Sequence, residues 1–175
     1  FTFFCYISNL LIYNHVWIDE KYVEDYQVLE SNNEKHPRGL PKTKICIVVA
    51  IDSSKNMLAI ICGHGKPSSK RVYAALKEHI IPWSTIIHDG DNSHKYLIDA
   101  LNLKSEVYIA NTKDSEYIKN MVMINNMCSW LKRYIWRFIG MEVVNLQSYL
   151  NCILVFKISI VGMEVVNLQS YLNWF

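Results

Sequence analysis

Asp19 and Glu20 interrupt an apolar run that carries Val16, Trp17, Ile18, Tyr22 and Val23, and Asp89 abruptly closes another, Ser84 to His88, with Gly90 and Asp91 behind it. Acidic side chains are disfavoured inside strands, so an interruption of this kind marks a place that needs the charge. Farther on, Asn125 and Lys132 lie seven positions apart in a stretch with helical spacing. Seven residues are two turns, so the two share a face. Carboxylates and an amide oxygen are what Mg²⁺ or Mn²⁺ prefer over nitrogen and sulfur. Asp19, Asp89 and Asn125 thus form a candidate two-metal set, able to activate a hydroxyl and stabilise a leaving oxygen during in-line attack on a phosphodiester. Asn125 offers only a neutral carbonyl oxygen, so its ion is held less tightly than a glutamate would hold it. Its neighbour Asn126 is the alternative third ligand, with Lys132 setting the register in favour of Asn125. Lys132 pairs with a phosphate as a point charge.

Other residues invite chemistry that their spacing does not support. Gly63-His64-Gly65-Lys66 lacks the earlier glycine and the following hydroxyl of a phosphate loop, since Ile60 and Pro67 stand there, and it reads as a turn. Asp89 to Ser93 resembles the start of a calcium loop, but His94 and Ala100 occupy the places of its glycine and closing glutamate. His88 and His94 flank Asp89; imidazoles suit Zn²⁺ or Fe, and a positioning or core role is the expectation for both. Glu20 and Asp91 are read as supporting or solvated. Lys119, Lys132, Arg133 and Arg137, interleaved with Trp130, Tyr134 and Trp136, either track a DNA backbone or form the solvated face of an amphipathic helix.

These residues need a scaffold, and 175 residues, about half of them apolar, suffice for one core. The formal charge of +2, from 18 basic and 16 acidic side chains, means that any basic surface is local. Cys5, Cys46, Cys62, Cys128 and Cys152 include no Cys-x-x-Cys pair, which favours a reducing, cytoplasmic compartment over disulfides or zinc. The apolar opening, residues 1–14, is an unassigned leader or remnant too short to span a bilayer, and no membrane role is expected.

A strand is predicted at His15 to Val23, then a polar loop to Lys44. Ile45 to Ile51 and Met57 to Cys62 read as a hairpin of two buried strands around Asp52-Ser53-Ser54-Lys55-Asn56. A helix opens at Pro67 and runs through Val72, Leu76 and Ile80 to near Pro82. After the strand Ser84 to His88, Ser93 is expected to cap a short helix with Tyr96, Leu97, Ala100 and Leu101, followed by a strand at Glu106 to Ala110. The stretch from about Ser115 to Phe138 is a long helix with Ile118, Val122, Asn125, Ser129, Lys132 and Trp136 near one stripe. In the tail, Gly140 to Asn151 and Gly162 to Asn173 are identical, which argues for recent duplication or a disrupted reading frame, with the second copy surplus to the fold.

Three strands, helix, strand, helix, strand, helix is the order of the α/β RNase H-like fold, a mixed sheet of about five strands ordered 3-2-1-4-5 and flanked by helices. In that fold the first and fourth strands are neighbours, which would bring Asp19 to Asp89 with the last helix alongside. The strings VWIDEKYVED, KICIVVAID, GHGKPSS, STIIHDGDNSH and INNMCSWLKR, in this order across residues 15–151, resemble bacterial insertion-sequence transposases of the ISXO-two-like branch. The resemblance implies an Asp, Asp, Asn or Glu triad with a lysine seven residues on, places held by Asp19, Asp89, Asn125 and Lys132. The 36 positions from Asp89 to Asn125 are close to the separation usual in such enzymes.

It further implies an Mg²⁺- or Mn²⁺-dependent catalytic core at 15–139 with a helical tail at 140–175, acting on transposon ends and target DNA as a homo-oligomer. The similar proteins carry a zinc-ribbon or helix-turn-helix segment before the first catalytic strand, which is missing here. That absence, the lack of an initiator Met and the duplicated tail lead to the expectation of a truncated copy. The alternatives are an inactive DNA-binding remnant and an RNase H-like nuclease without strand transfer.

Overall fold

The computed structural model describes residues 10–24, 43–138 and 142–161, with side chains in the last helix as far as Cys152. The elements are β1 (His15–Val23), β2 (Ile45–Asp52), β3 (Met57–His64), α1 (Ser69–Leu76), β4 (Thr85–His88), a 3-10 turn (Asn92–His94), α2 (Lys95–Ala100), β5 (Lys104–Val107), α3 (Ser115–Trp136) and α4 (Val143–Val161). The five strands form one sheet in the order β3-β2-β1-β4-β5. β1 with β2 and β2 with β3 are antiparallel, while β4 runs parallel to both β1 and β5. This is the 3-2-1-4-5 order expected from the sequence.

Why the strands take these places follows from their burial. All of β2, ICIVVAID, is buried, as a continuous apolar run requires when both faces of its sheet are covered. Its last residue, Asp52, is fully buried yet satisfied, because its carboxylate accepts from the Asn56 backbone N–H at 2.8 Å and from Asn56 Nδ2 at 2.9 Å. That bracket, with Lys55 at φ 67°, makes the hairpin turn.

β1 sits at the centre and alternates. Trp17 donates its indole N–H to the Asn120 carbonyl of α3 at 2.8 Å, whereas Glu20 reaches Ser93 in the 3-10 turn. Odd positions of β1 therefore face α3 and even positions face α1 and α2. α4 packs against the outer edge of β3, where the Gln147 side-chain amide accepts from the Ile61 N–H at 2.9 Å and donates to the Ala59 carbonyl at 3.0 Å. Leu146 and Leu150 of the same helix join the core. The second copy of the repeat lies outside the described residues.

Several local expectations are corrected. The last strand is Lys104–Val107 rather than Glu106 to Ala110: it lies at the sheet edge with all four residues exposed, so apolarity does not set its bounds. Its start is set by the Lys104 N–H donating to the Ser84 carbonyl at 2.9 Å. α1 stops at Leu76 rather than near Pro82, because Ile80 bridges Ile12, a fully buried residue preceding β1. Ser93 is not a cap. Asp91 accepts from the Ser93 N–H at 2.8 Å, and the Ser93 hydroxyl is taken by Glu20. The stripe anticipated on α3 is not its buried face: Ile118, Val122 and Trp136 are 48 %, 45 % and 67 % exposed, and Met121, Ile124, Met127, Cys128 and Leu131 are buried.

This placement gives a stability contrast on α3. Ile124→Ala removes a fully buried side chain and should cost about 2–5 kcal/mol in denaturant unfolding. Val122→Ala, two residues away and exposed, should stay within about 0.5 kcal/mol. Equal costs would contradict this orientation of the helix.

Candidate metal centre

The parallel pairing of β1 with β4 aligns Val16 with Ile86 and Trp17 with Ile87. The pairing ends there, so Asp19 and Asp89 each lie two positions beyond the last paired residues, and Asp89 stands one position past the end of β4. Asp19 is half-buried on the α3 side; its Oδ1 accepts from the Glu20 N–H at 2.8 Å, and the Cys128 thiol of α3 hydrogen-bonds its carboxylate. Burial raises its pKa above the ordinary carboxylate range, against the lowering by those two bonds. Asp89, also half-buried, accepts from the Asp91 N–H at 3.0 Å. Gly90 turns the chain there with φ 88°, and a Cβ on it would meet Val107 Cγ1 of β5 at 2.9 Å, so glycine lets the loop leave against the edge strand.

Asn125 lies on α3 one turn before Cys128, half-buried, with its amide 3.5 Å from the Tyr117 hydroxyl. Asn126 is exposed. The contact between Asp19 and Cys128 thus brings the helix bearing Asn125 over β1, while Asp19, Asp89 and Asn125 hold separate hydrogen-bond partners. Lys132 is exposed and about 10 Å farther along the helix at 1.5 Å per residue. There it lines a cavity of about 110 Å³ with Tyr22, Val23, Glu24, Lys44 and Trp136.

On the opposite face of the sheet lies a buried polar chain. Glu20 Oε1 accepts from the Ser93 hydroxyl at 2.7 Å and faces His94 Nε2 at 3.1 Å. His94 Nδ1 meets His88 Nδ1 at 3.0 Å, and His88 Nε2 meets Ser105 Oγ at 2.9 Å. The protons can be assigned from one donor. The Gly90 N–H donates to His88 Nδ1 at 3.2 Å, so that nitrogen accepts, and His94 must donate to it through Nδ1–H. With its other nitrogen against a carboxylate, His94 is the imidazolium of a buried ion pair.

The electrostatics agree with this assignment. Burial disfavours charge on all three groups, and for His88 it prevails, with the neighbouring His94 adding to it, so that its pKa falls to about 4. For Glu20 the hydrogen bond and charge of His94, then the Ser93 hydroxyl, outweigh burial and hold the carboxyl low. For His94 the bond to Glu20 and its charge outweigh burial and hold the imidazole high. His88, Asp89 and His94 each bring a ligating atom within 4.8 Å of the others. That nitrogen-rich set would suit Zn²⁺ or Fe, but both Nδ1 atoms are already spent on each other. Both histidines are buried positioning groups, as their flanking of Asp89 suggested, and Glu20, 7 % exposed at its side chain, is supporting rather than solvated. The sequence carried a signal for this: two consecutive acids in a central strand point to opposite faces, so neither is simply solvated. Asp91 pairs with the exposed Lys66 at 2.7 Å.

The fold has a counterpart among solved structures. A chain from the cryo-EM structure of the simian T-cell lymphotropic virus intasome in complex with PP2A regulatory subunit B56 gamma superposes with a TM-score of 0.51 at 13 % identity, over 91 % of this chain and 52 % of that one. The similarity thus spans about half the length of that chain, and at this identity it speaks to fold alone. With the strand order and the flanking helices, it identifies the fold as RNase H-like. No protein-family profile and no curated protein sequence matches this chain. No helix among the described residues is long and apolar enough to cross a membrane.

The ion pair makes stability depend on pH in a defined sense. The Glu20 contribution is present above its ordinary 4.5 and lost as pH falls through its lower folded value; the His94 contribution is present below 6.5 and lost as pH rises through its higher folded value. Glu20→Gln should therefore cost the most, about 2 kcal/mol, between pH 4.5 and 6.5, with a smaller deficit at alkaline pH. A deficit independent of pH in thermal melts would contradict the charged pair.

Proposed function

We propose that this chain is the catalytic core of a DNA transposase of the insertion-sequence type, cleaving at transposon ends and joining the freed 3′-hydroxyl to target DNA. The observation that supports the reading is the parallel pairing of β1 with β4 in an RNase H-like sheet, a register that, continued past its last pair Trp17–Ile87, would bring Asp19 level with Asp89. Asp19 also suits a cation: its carboxyl is desolvated, and its hydrogen-bond partners are a backbone N–H and a thiol, neither of them charged.

Asp19, Asp89 and the Asn125 carbonyl oxygen would hold Mg²⁺ or Mn²⁺, hard cations that choose oxygen ligands. Bound there, the ions would make a water or a 3′-hydroxyl more acidic and offset charge on the leaving oxygen. The protein's own part is positioning. The Glu20 and Asp91 N–H groups orient the two carboxylates, and Asn125 adds a neutral acceptor. Lys132, with Arg133 and Arg137 exposed on the same end of α3, offers point charges to a DNA backbone running past the centre. Action on paired DNA ends as a homo-oligomer in the cytoplasm belongs to the same reading.

The test uses Mn²⁺ titration of the chain and incubation with supercoiled plasmid in Mg²⁺ or Mn²⁺. Asp19→Asn and Asp89→Asn should each weaken Mn²⁺ binding and lower strand cleavage by about 100-fold or more while circular dichroism stays unchanged. Unchanged cleavage in both variants would sink the assignment. Nicked products without joined ones would indicate an RNase H-like nuclease instead, and absence of Mn²⁺ binding by the unmodified chain a non-catalytic remnant.

A further inference from the structure

Cys46 on β2 and Cys62 on β3 take no part in the proposed chemistry, yet the sheet brings them together by an irregularity. The β2–β3 register pairs Cys46 with Gly63 and then Ile47 with Ile61, so Cys62 is an extra residue, and Cys62 and Gly63 together oppose Cys46. In a regular ladder, successive side chains point to opposite faces; a bulge turns the extra one toward the residue it opposes. The two buried thiols hydrogen-bond each other, and the Tyr22 hydroxyl, from the residue paired with Cys46 on β1, reaches the Cys46 sulfur.

A cation is built against the same spot. Arg71 of α1 donates through Nε to the Cys62 carbonyl and through Nη1 to the His64 carbonyl at 3.0 Å. A Cβ on Gly63, which has φ 91°, would stand 2.5 Å from Arg71 Nη2. That nitrogen is buried and has no hydrogen-bond partner among the described residues, which is costly unless a negative group comes to it. The hydrogen bond from Cys46 and the charge of Arg71 favour the Cys62 thiolate against its burial, whereas Cys46 is held in its thiol form.

We infer that Cys46 and Cys62 are a redox-active dithiol whose oxidant is a low-molecular-weight disulfide, with Cys62 as the attacking sulfur and Arg71 as its activating cation. The Cys62 thiolate forms a bond to one sulfur of the oxidant and expels the other as a thiolate. Cys46 then gives up its proton, attacks the Cys62 sulfur and expels the second small thiol. Two electrons pass from the protein to the oxidant, which leaves as two thiols, and a disulfide joins β2 to β3 across the bulge. This reaction is independent of the metal centre.

Oxidised glutathione is the probe, applied to the full chain, followed by alkylation of remaining thiols and peptide mapping without reductant. The expected result is a Cys46–Cys62 disulfide, with Cys5, Cys128 and Cys152 alkylated. In Cys46→Ser the reaction should stop at a stable glutathione adduct on Cys62, and Arg71→Met should slow adduct formation about ten-fold. Free alkylation of both thiols in the unmodified chain after oxidation, or a disulfide between any other pair, overturns the inference. So does an adduct that forms on Cys46 in Cys62→Ser as fast as on Cys62 in Cys46→Ser.

Discussion

The parallel register between β1 and β4 is the constraint on which both the fold and its candidate centre depend. β1 is the middle strand, and its side chains alternate, so one register fixes two surfaces at once. Trp17, Asp19 and Ile87 turn toward α3, while Val16, Ile18, Glu20 and Ile86 turn toward α1 and α2. A slip of one residue would exchange the sets and drive Glu20 against Cys128 and Asp19 against His94. Val16, Ile18 and Ile86 are fully buried, and such a slip would put the carboxylates in their packed places.

The two consecutive acids show what that register accomplishes. Glu20 is neutralised: His94 and Ser93 complete its hydrogen bonds and hold its pKa down. Asp19, one residue away and through the sheet, is desolvated, and burial pushes its pKa up against its two hydrogen bonds and the charge of Lys21. Environments that drive neighbouring carboxyls apart mark a division of roles. Glu20 has no spare charge to offer, since the chain from Ser93 to Ser105 on the exposed edge strand is closed by its own hydrogen bonds. Asp19, on the face of α3, has no such imidazolium against it among the described residues, which is why the metal reading falls on that carboxyl.

Legibility in the sequence followed the range of the interactions. β2 could be read because a seven-residue apolar run and an Asp-Asn turn are local signals, and β1 because its composition is that of a strand. The order 3-2-1-4-5 follows from the succession of strands and helices. What failed depended on distant partners. α1 ends early because Ile12, 68 positions before Ile80, captures it, and Ser93 is no cap because Glu20, 73 positions back, claims its hydroxyl. The buried face of α3 was not legible because apolar side chains also lie on its exposed side, as Ile118 and Trp136 do. The contact of Cys128 with Asp19 and the bulge at Cys62 had no local signature.

α4 ties the last helix of the core to the far edge of the sheet. An edge strand leaves backbone donors and acceptors open, and on β3 Gln147 answers one of each, at Ile61 and Ala59, as a neighbouring strand would. Asn151 accepts from the same amide at 2.9 Å and fixes its orientation. From α4 a run of ring contacts leads back into α3: Tyr149 to Phe138 at 4.8 Å, Phe138 to Tyr134 at 5.0 Å, and Tyr134 to Trp130 at 5.8 Å. α3 is therefore held at two levels, by Trp17 and Asp19 beneath its middle and by α4 at its end. Asn125 lies between Asn120 and Cys128, the two points of the lower attachment, whereas Lys132 lies on the stretch that the rings brace. The first copy of the repeated tail segment thus supports the placement of the helix that carries both residues, rather than standing apart from the core.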